Sequence, residues 1–381
     1  MSVPIQDIVA VNVFGGGSST ISSTGLTLMV LAQIKELEDS AQSALTNKVK
    51  EYTSIASVQS DANESEGAEI IAIASAFFAN RGKKLKIYFS SETNAKDAYQ
   101  GLKESTDFYN ALICSNSYTI TNVSINDIVG ADEQVIFGFT ATENNYDDIQ
   151  TAVSTRPMTH LSYATTDSIS SNKSNVYIFA ALAGLYSSIN RNGIKTDRSA
   201  EYLIPSVLTP SIISLETEKK LTEKGTTRIT TLASSDKNIM FKGTKMANSV
   251  DFLQVTVAKL DFTSKLQETG FNLLASVLGV PYDVNGYSKL INAVKNDCIQ
   301  YNKNGCFVPM VSSKVQELYP SISDNQKISL MNNGFSVLVD GVDFNPTQEE
   351  KNTSKMPSIP IAVNFGKTAS VVEFTLDVRG E

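Results

Sequence analysis

The chain has 381 residues, of which 41% are hydrophobic and 19% charged, with 32 Lys and Arg against 40 Asp and Glu. This length predicts two or three domains, and the composition excludes a disordered or collagen-like chain. The net charge of −8 argues against nucleic-acid binding driven by phosphate contacts. One histidine and three scattered cysteines are too few for a histidine-based metal cluster, a zinc site or a disulfide framework.

The start of the chain lacks a positively charged region followed by an apolar core, so it does not resemble a signal peptide. The longest apolar runs, 70–79 and 176–185, are far shorter than the roughly 20 residues of a membrane-spanning helix. We therefore expect no membrane insertion, synthesis in the cytoplasm and reduced thiols.

The first part of the chain alternates between short apolar strands and amphipathic helices, with an irregular charged stretch at 36–50. Gly82 is expected to end the first long helix. Such alternation predicts an α/β layer with a largely parallel sheet, ending between 215 and 225. The predicted strands are 26–31, 84–90, 111–114, 135–139 and 160–164, and the predicted helices are 64–80, 94–110, 146–155 and 176–189.

The pattern changes after residue 225. A hairpin-like pair of strands is followed by two amphipathic helices and then by alternating strands, which together predict an α+β domain. The strands of the pair are 226–232 and 239–243, the helices are 262–278 and 282–298, and the later strands are 335–339, 359–365 and 371–378.

Residue patterns that would indicate catalysis are not found. His160 lies at the start of a predicted strand, and no Gly-x-Ser-x-Gly elbow accompanies it, so we predict a structural histidine. Gly15–Gly17 are not followed by Lys and Ser or Thr, so they form a flexible tether and not a phosphate loop. Cys298 lies on the apolar face of a predicted helix and is expected to pack in the core. We predict no catalytic residue, no metal ligand and no cofactor.

An acidic segment spans 127–148 and contains no Lys or Arg. Its spacing does not fit a calcium loop, which leaves a solvated rim or a surface that faces a neighbouring subunit. The acidic residues are Asp127, Asp132, Glu133, Glu143, Asp147 and Asp148.

A basic segment spans 219–245 and carries seven basic residues against Glu223 and Asp236, a local charge of +5. Solvated loops would explain such a segment. Electrostatically steered docking of subunits would explain it as well, because the acidic and basic segments together give the chain a dipolar charge distribution. The basic residues are Lys219, Lys220, Lys224, Arg228, Lys237, Lys242 and Lys245.

Both ends of the chain look like strands that could leave the body of the protein. Apolar residues alternate with polar or small ones in both, and the first end precedes the glycine tether. Each strand either pairs within its own chain or completes a sheet of a neighbouring subunit. The apolar residues are Val9, Val11 and Val13 at the first end, and Val372, Phe374, Leu376 and Val378 at the last.

Several segments resemble the sheath proteins of phage contractile tails, in the smaller myophage branch. The opening Met1-Ser2-Val3-Pro4-Ile5-Gln6-Asp7-Ile8-Val9 is similar to the N-terminus of that branch. Similar segments follow at 49–54, 84–88 and 305–309, and the most specific lies at 271–286, with Phe-Asn-Leu-Leu and then Val-Pro-Tyr-Asp-Val-Asn-Gly. The strands after Pro357 resemble the terminal β-arm of the family.

The resemblance implies a structural subunit that polymerises around a tail tube and contracts to drive the tube through the host envelope. Its implied parts are an N-terminal arm and tether (1–22), an α/β domain that is subtilisin-like without the triad (23–222), an α+β domain facing the tube (223–360) and a C-terminal β-arm (361–381). The implied partners are further copies of the chain, the tail tube, the baseplate and the tail terminator. The implied location is the virion tail, assembled in the host cytoplasm, with Lys237, Lys242 and Lys245 as candidate tube contacts.

Two alternatives stay open. The chain could be another tail component, a tube or baseplate protein, although the α/β half argues against a tube. A different class is an enzyme related to the α/β hydrolases, which esterase activity in a monomeric protein would indicate.

Overall fold

A computed structural model describes residues 26–105, 108–115, 117–118, 128, 135–232, 235–276, 280–281, 283–340, 348, 352 and 358–367. The strands are β1 (Leu28–Gln33), β2 (Lys48–Tyr52), β3 (Leu85–Ser90), β4 (Ala111–Cys114), β5 (Ile136–Ala141), β6 (Thr159–Tyr163), β7 (Thr227–Leu232), β8 (Ser235–Lys242), β9 (Phe335–Val337) and β10 (Ile361–Val363). The helices are α1 (Asp39–Leu45), α2 (Ile55–Gln59), α3 (Ala68–Ala79), α4 (Ala95–Glu104), α5 (Tyr146–Val153), α6 (Thr166–Ser171), α7 (Ile178–Ser187), α8 (Leu215–Lys224), α9 (Leu253–Leu274), α10 (Val284–Asn304), α11 (Ser312–Leu318) and α12 (Asp324–Asn333).

Eight strands form one large sheet in the order β2-β3-β1-β4-β5-β6-β7-β8. The six inner strands are parallel to one another, and only the edge strands β2 and β8 pair antiparallel. This confirms the predicted α/β layer with a largely parallel sheet. The hairpin predicted after residue 225 is also present, but its strands extend the large sheet, whereas the sequence assigned them to the α+β domain.

Helices cover both faces of the sheet, and the strands divide their side chains between two cores. In β1, Leu28 and Val30 pack with α3 and α7, whereas Met29 and Leu31 pack with α4 and α5 on the other face. Strands buried on both faces have nearly continuous apolar sequences, which is why the short apolar runs predicted them well. We call the large sheet with these helices the sheet layer.

The helices α3 and α7 approach each other closely at Gly184. A Cβ atom there would lie 2.4 Å from the carbonyl oxygen of Phe77 and 3.0 Å from that of Asn80. On the sheet side of α7, the Phe179 ring lies over Gly138 of β5, where an added Cβ would lie 1.9 Å from the ring. Glycine at both positions therefore allows α7 to pack tightly between β5 and α3.

Two local predictions in the sheet layer are wrong. The stretch 36–50, predicted to be irregular, contains α1 and the first part of β2. After the end of α3, the residue with a left-handed backbone conformation is Arg81, with φ of 73°, and not Gly82. Gly82 is needed for space instead, since a Cβ atom would lie 2.3 Å from the Phe77 ring.

A second layer, which we call the helical layer, consists of the distal half of α9, α10, α11, α12 and the two-stranded sheet of β9 and β10. Its core is built around Phe262, Tyr301 and Phe307. The helix predicted at 262–278 begins earlier, at Leu253, because Leu253, Val257 and Leu260 pack into the core of the sheet layer. The α9 helix thus contributes to both cores. The predicted α/β plus α+β arrangement is in this respect observed.

Part of the chain lies outside the described residues. The predicted strands 5–13 and 371–378 fall there, so both remain predictions. Among the described residues, no helix combines the length and apolar character needed to cross a bilayer.

Candidate assembly interface

The strand β9 has one edge that is not paired with β10. The N–H of Leu338 donates to Pro360, and the N–H of Asn364 donates to Gly334, so the even-numbered residues of this stretch face β10. Because backbone groups alternate along a strand, those of Phe335 and Val337 are directed to the opposite edge. The Phe335 carbonyl accepts a hydrogen bond from Ser329 Oγ. The Val337 carbonyl at this edge accepts a hydrogen bond from the N–H of Val339, so the backbone groups that point to an added strand are the N–H groups of Phe335 and Val337.

A groove with a volume of about 270 Å³ runs along this edge, between α10 and α12. Its apolar walls come from Ile299, Phe335, Val337 and Val339, and Lys295 and Asp340 give it one charge of each sign. An extended segment with apolar side chains at alternate positions has the shape and chemistry that such an edge recognises. The sequence did not reveal this groove, because its walls, all between 295 and 340, come together only when α10, α12 and β9 pack against one another.

The seven apolar residues predicted to form the arms cannot be placed against this groove. Val9, Val11 and Val13 at the first end, and Val372, Phe374, Leu376 and Val378 at the last, all lie outside the described residues. Their role as strands between subunits remains a prediction.

Two basic residues of the segment 219–245 are paired with the same carboxylate inside the chain. Arg228 is buried, donates from Nε to Glu218 at 2.8 Å and forms a second contact with the same carboxylate. Lys242 Nζ lies 2.7 Å from Glu218 as well. Burial opposes ionisation of Glu218, but hydrogen bonds from Arg228 and Lys242 outweigh it and lower its pKa. Glu218 is one residue outside the counted segment, so the +5 overstates the charge available to a partner.

The remaining candidate lysines differ from one another. Lys245 Nζ lies 5.7 Å from the centre of the Phe252 ring, and Lys367 Nζ lies 4.5 Å from the same ring. Lys237 belongs to β8, and its side chain is outside the described residues. The structure therefore brings Lys245 together with Lys367, which lies outside the basic segment, whereas Lys242 is paired with Glu218.

Two acidic residues of the segment 127–148 form contacts with other residues of the same chain. Glu143 accepts hydrogen bonds from the backbone N–H of Thr166 at the start of α6. Asp147 pairs with Lys220 at 2.5 Å. Asp127, Asp132 and Glu133 lie outside the described residues. Whether the segment faces a neighbouring subunit stays a prediction.

His160 lies in β6 and is fully buried between Thr227 and the ring of Phe179. The Thr227 hydroxyl donates to the carbonyl of Gly243, so the His160 Nε2–H must donate to Thr227 Oγ1, at 2.9 Å. Burial lowers the pKa of His160 from 6.5 to about 3, so the ring stays neutral at ordinary pH. This environment agrees with the predicted structural role. Cys298 is likewise buried, as predicted from its helix face.

The depressed pKa of His160 predicts a measurable acid dependence of stability. As the pH falls from about 6.5 towards 3, the unfolded chain takes up a proton at this residue and the folded chain does not, so stability is lost at about 1.4 kcal/mol per pH unit. We expect His160→Gln to remove this contribution. Urea denaturation of both proteins at pH 7, 5.5 and 4.5 measures it, and parallel losses of stability would contradict the assignment.

Clusters of three or more His, Cys, Asp or Glu that could bind a metal ion are not found within the described ranges. The enclosed His160 ring is neutral and donates from Nε2 to the Thr227 hydroxyl, so in this arrangement Nε2 does not act as a base toward that hydroxyl. The strand edge and groove at β9 form an arrangement that suits protein association.

Comparisons with known proteins identify related folds. No protein-family model and no curated protein sequence matches the chain. A chain of the anti-feeding prophage (AFP) helical sheath in its contracted state matches with a TM-score of 0.62 at 16% identity, covering 96% of this chain and 97% of that one. A chain of the AFP baseplate matches with the same TM-score and coverage at 14% identity. The chain therefore has the fold found in a contractile sheath, which confirms, at the level of the fold, the resemblance to phage tail sheath proteins inferred from its motifs.

Proposed function

We propose that the chain is a structural subunit of a contractile phage tail sheath, which polymerises around the tail tube and contracts to drive the tube through the host envelope. The observation that carries this proposal is the match to the contracted AFP sheath over nearly the whole of both chains. The free energy for contraction is stored in subunit contacts, so the proposed role is mechanical and not enzymatic, with no cofactor.

The proposal includes a finer division of the chain. A subtilisin-like domain without a triad, predicted at 23–222, is followed by a domain that faces the tube, predicted at 223–360, with terminal arms predicted at 1–22 and 361–381. We place the first boundary after β8, which extends the large sheet, and the second after β10, which pairs with β9. The parallel sheet with helices on both faces supports the first domain. The proposed partners are other copies of the chain, the tube, the baseplate and the tail terminator, in a virion tail assembled in the host cytoplasm.

The arms supply the proposed contact between subunits. An arm of one copy adds a strand to the free edge of β9 in another, with alternate apolar side chains in the groove beside it. The two outward N–H groups and the apolar walls of the groove support this pairing. The arms themselves are proposed from their sequence pattern.

Electron microscopy of the purified protein, alone and with purified tail tubes, tests the proposal. Rings, tubes or striated sheaths are expected. A monomer that stays featureless under all these conditions and hydrolyses esters would overturn it in favour of an enzyme.

A second candidate is a baseplate component, since a chain of the AFP baseplate matches equally well. The two differ in extent of assembly. A sheath subunit forms long, continuous polymers on tubes, whereas a baseplate component forms a terminal structure of fixed size.

The candidate tube contacts can be tested with variants chosen from the structure. We expect Lys237→Glu with Lys245→Glu to weaken attachment to an acidic tube more than it weakens folding, with a difference that shrinks as salt rises. Single exposed pairs are worth about 0–1 kcal/mol, but the contact repeats in every ring. The assay is co-sedimentation on purified tubes at low and high salt.

Lys242→Glu serves as the contrasting variant. It places a carboxylate beside Glu218 and should lower thermal stability directly, because Lys242 contacts Glu218 inside the chain. If the Lys237 and Lys245 variant binds tubes like the wild type at low salt, the tube contact lies elsewhere on the chain.

A further inference from the structure

A buried arginine lies where the sheet layer meets the helical layer. Arg191 follows α7, and both it and its partners Asp197 and Asp261 are almost completely inaccessible, with side-chain exposures of 3%, 1% and 1%. Arg191 Nη1 lies 2.5 Å from Asp197, and Nε lies 3.0 Å from Asp261 of α9. We call Arg191, Asp197 and Asp261, with their partners, the Arg191 cluster.

Further side chains complete the cluster from both layers. Tyr301 of α10 donates its hydroxyl to Asp261 at 2.6 Å, and Gln254 of α9 donates to Asp197 at 2.6 Å. Arg191 Nη1 also donates to Cys306 Sγ at 3.0 Å. Burial, assisted by the charge of Asp261, raises the pKa of Tyr301, so its hydroxyl keeps the proton that it donates.

The backbone around Arg191 is bound to the end of α10 as well. The N–H groups of Lys195 and Asp197 donate to the carbonyls of Lys303 and Asn304, and the side chain of Asn304 donates to the carbonyl of Arg191. The last carbonyls of a helix have no partner within it, so this loop satisfies groups that would otherwise need water. The loop after α7 therefore caps α10 at the same place where the charges meet.

Stability alone does not account for such a cluster. Desolvating an arginine and two carboxylates offsets much of their attraction, and a well-packed apolar contact of similar volume is often as stable or more so. Apolar surfaces, however, can slide or repack. A guanidinium enclosed between two fixed carboxylates, in contrast, is favourable in few arrangements, because moving it away would leave buried charges unpaired.

We infer that the Arg191 cluster fixes α10 to the sheet layer, so that the two layers move as one rigid body. The continuous α9 helix supplies the other connection, since it contributes to both cores. Without the Arg191 side chain, α10 is held to the sheet layer by α9 and by the hydrogen bonds to the backbone of the loop after α7. This inference rests on contacts within one chain and does not depend on the proposed function.

Distances between spin labels in the full chain test this rigid connection between the two layers. One label is placed at Asn292→Cys on α10 and the other at Gln100→Cys on α4, both exposed positions, while Cys114, Cys298 and Cys306 are buried. We expect Arg191→Met to broaden and shift the distance distribution for this pair. A second pair, Gln100→Cys with Asp167→Cys, lies within the sheet layer and should keep its distribution.

The matched control is Arg228→Met. Arg228 is also buried and bound to a carboxylate, but its partner Glu218 belongs to the sheet layer. It should lower the melting temperature and leave the distance between layers unchanged. Asp261→Asn keeps the acceptor for Tyr301, removes one charge and decides the test if Arg191→Met fails to fold. The inference is overturned if the folded variants of the cluster keep the parental distribution, or if Arg228→Met broadens it equally.

Discussion

Replacing Gly184 with valine is expected to lower the free energy of unfolding by about 3 kcal/mol, because overpacking a dense core costs roughly 1–3 kcal/mol and here the obstacle is backbone. The new Cβ atom would lie 2.4 Å from the carbonyl oxygen of Phe77. Relief requires α3 and α7 to separate, which would also disturb Asn80, whose side chain holds the backbone of Ser206 at both its N–H and its carbonyl. Urea denaturation followed by circular dichroism measures the loss.

Gly101→Ala is the control for this prediction. A Cβ atom at Gly101 would meet the hydroxyl of Tyr88 at 2.7 Å, so the obstacle there is the end of a side chain and not backbone. The position lies in α4, where alanine is favoured over glycine by about 1 kcal/mol. We expect this variant to match or slightly exceed the wild type. Equal losses in the two variants would show that close packing at Gly184 is not special.

Deleting either end of the chain is expected to abolish polymerisation and leave folding intact. The cores of both layers are built from residues between Leu26 and Phe365, so proteins lacking 1–20 or 368–381 should melt in one cooperative transition near that of the full chain. The arms are proposed to join subunits, so these proteins should stay as single subunits. Thermal melting and electron microscopy after incubation with tubes measure the two effects.

The two deletions also test each other. In a mixture of the two truncated proteins, one protein carries the N-terminal arm and the other carries the C-terminal arm. A short oligomer that forms in the mixture, but in neither protein by itself, would show that the two arms act at different contacts. A truncated protein that still builds long sheaths would contradict the role of its missing arm. A truncated protein that no longer folds would contradict the claim that the body is independent of its ends.

Local sequence patterns predicted the elements of the sheet layer but not their arrangement. Strands such as Ala111–Cys114 are short apolar runs, and burial on both faces leaves that signature in the sequence itself. The order of the strands has no local signature, so the addition of the hairpin β7–β8 to the large sheet was missed. The early start of α9 was missed for a related reason, since Leu253 and Val257 pack on a core made by distant residues.

Charged residues were the least predictable part of the candidate site. Seven basic residues between 219 and 245 suggested a free surface, yet Arg228 is buried against Glu218 and Lys242 shares the same carboxylate. The partner lies ten residues before Arg228, and only the folding of α8 against β7 brings them together. Arg191 gave no signal at all, because its acidic partners come from a loop and from α9.

The order of strands has a consequence during synthesis. The sheet as far as β6 can assemble once α7 has been made, but the free edge of β6 is paired only after β7 has left the ribosome. Unpaired edges invite association with other chains, and domains of this size expose them while they fold. In the folded protein the two edges of the sheet are protected. The edge strand β2 carries the charged residues Lys48, Lys50 and Glu51, and the edge of β8 is covered because the backbone of Phe241 is hydrogen-bonded to that of Tyr202 and Leu203. The nascent chain therefore exposes an unpaired strand edge in the interval between the synthesis of β6 and that of β7, and this edge favours association with other chains during that interval.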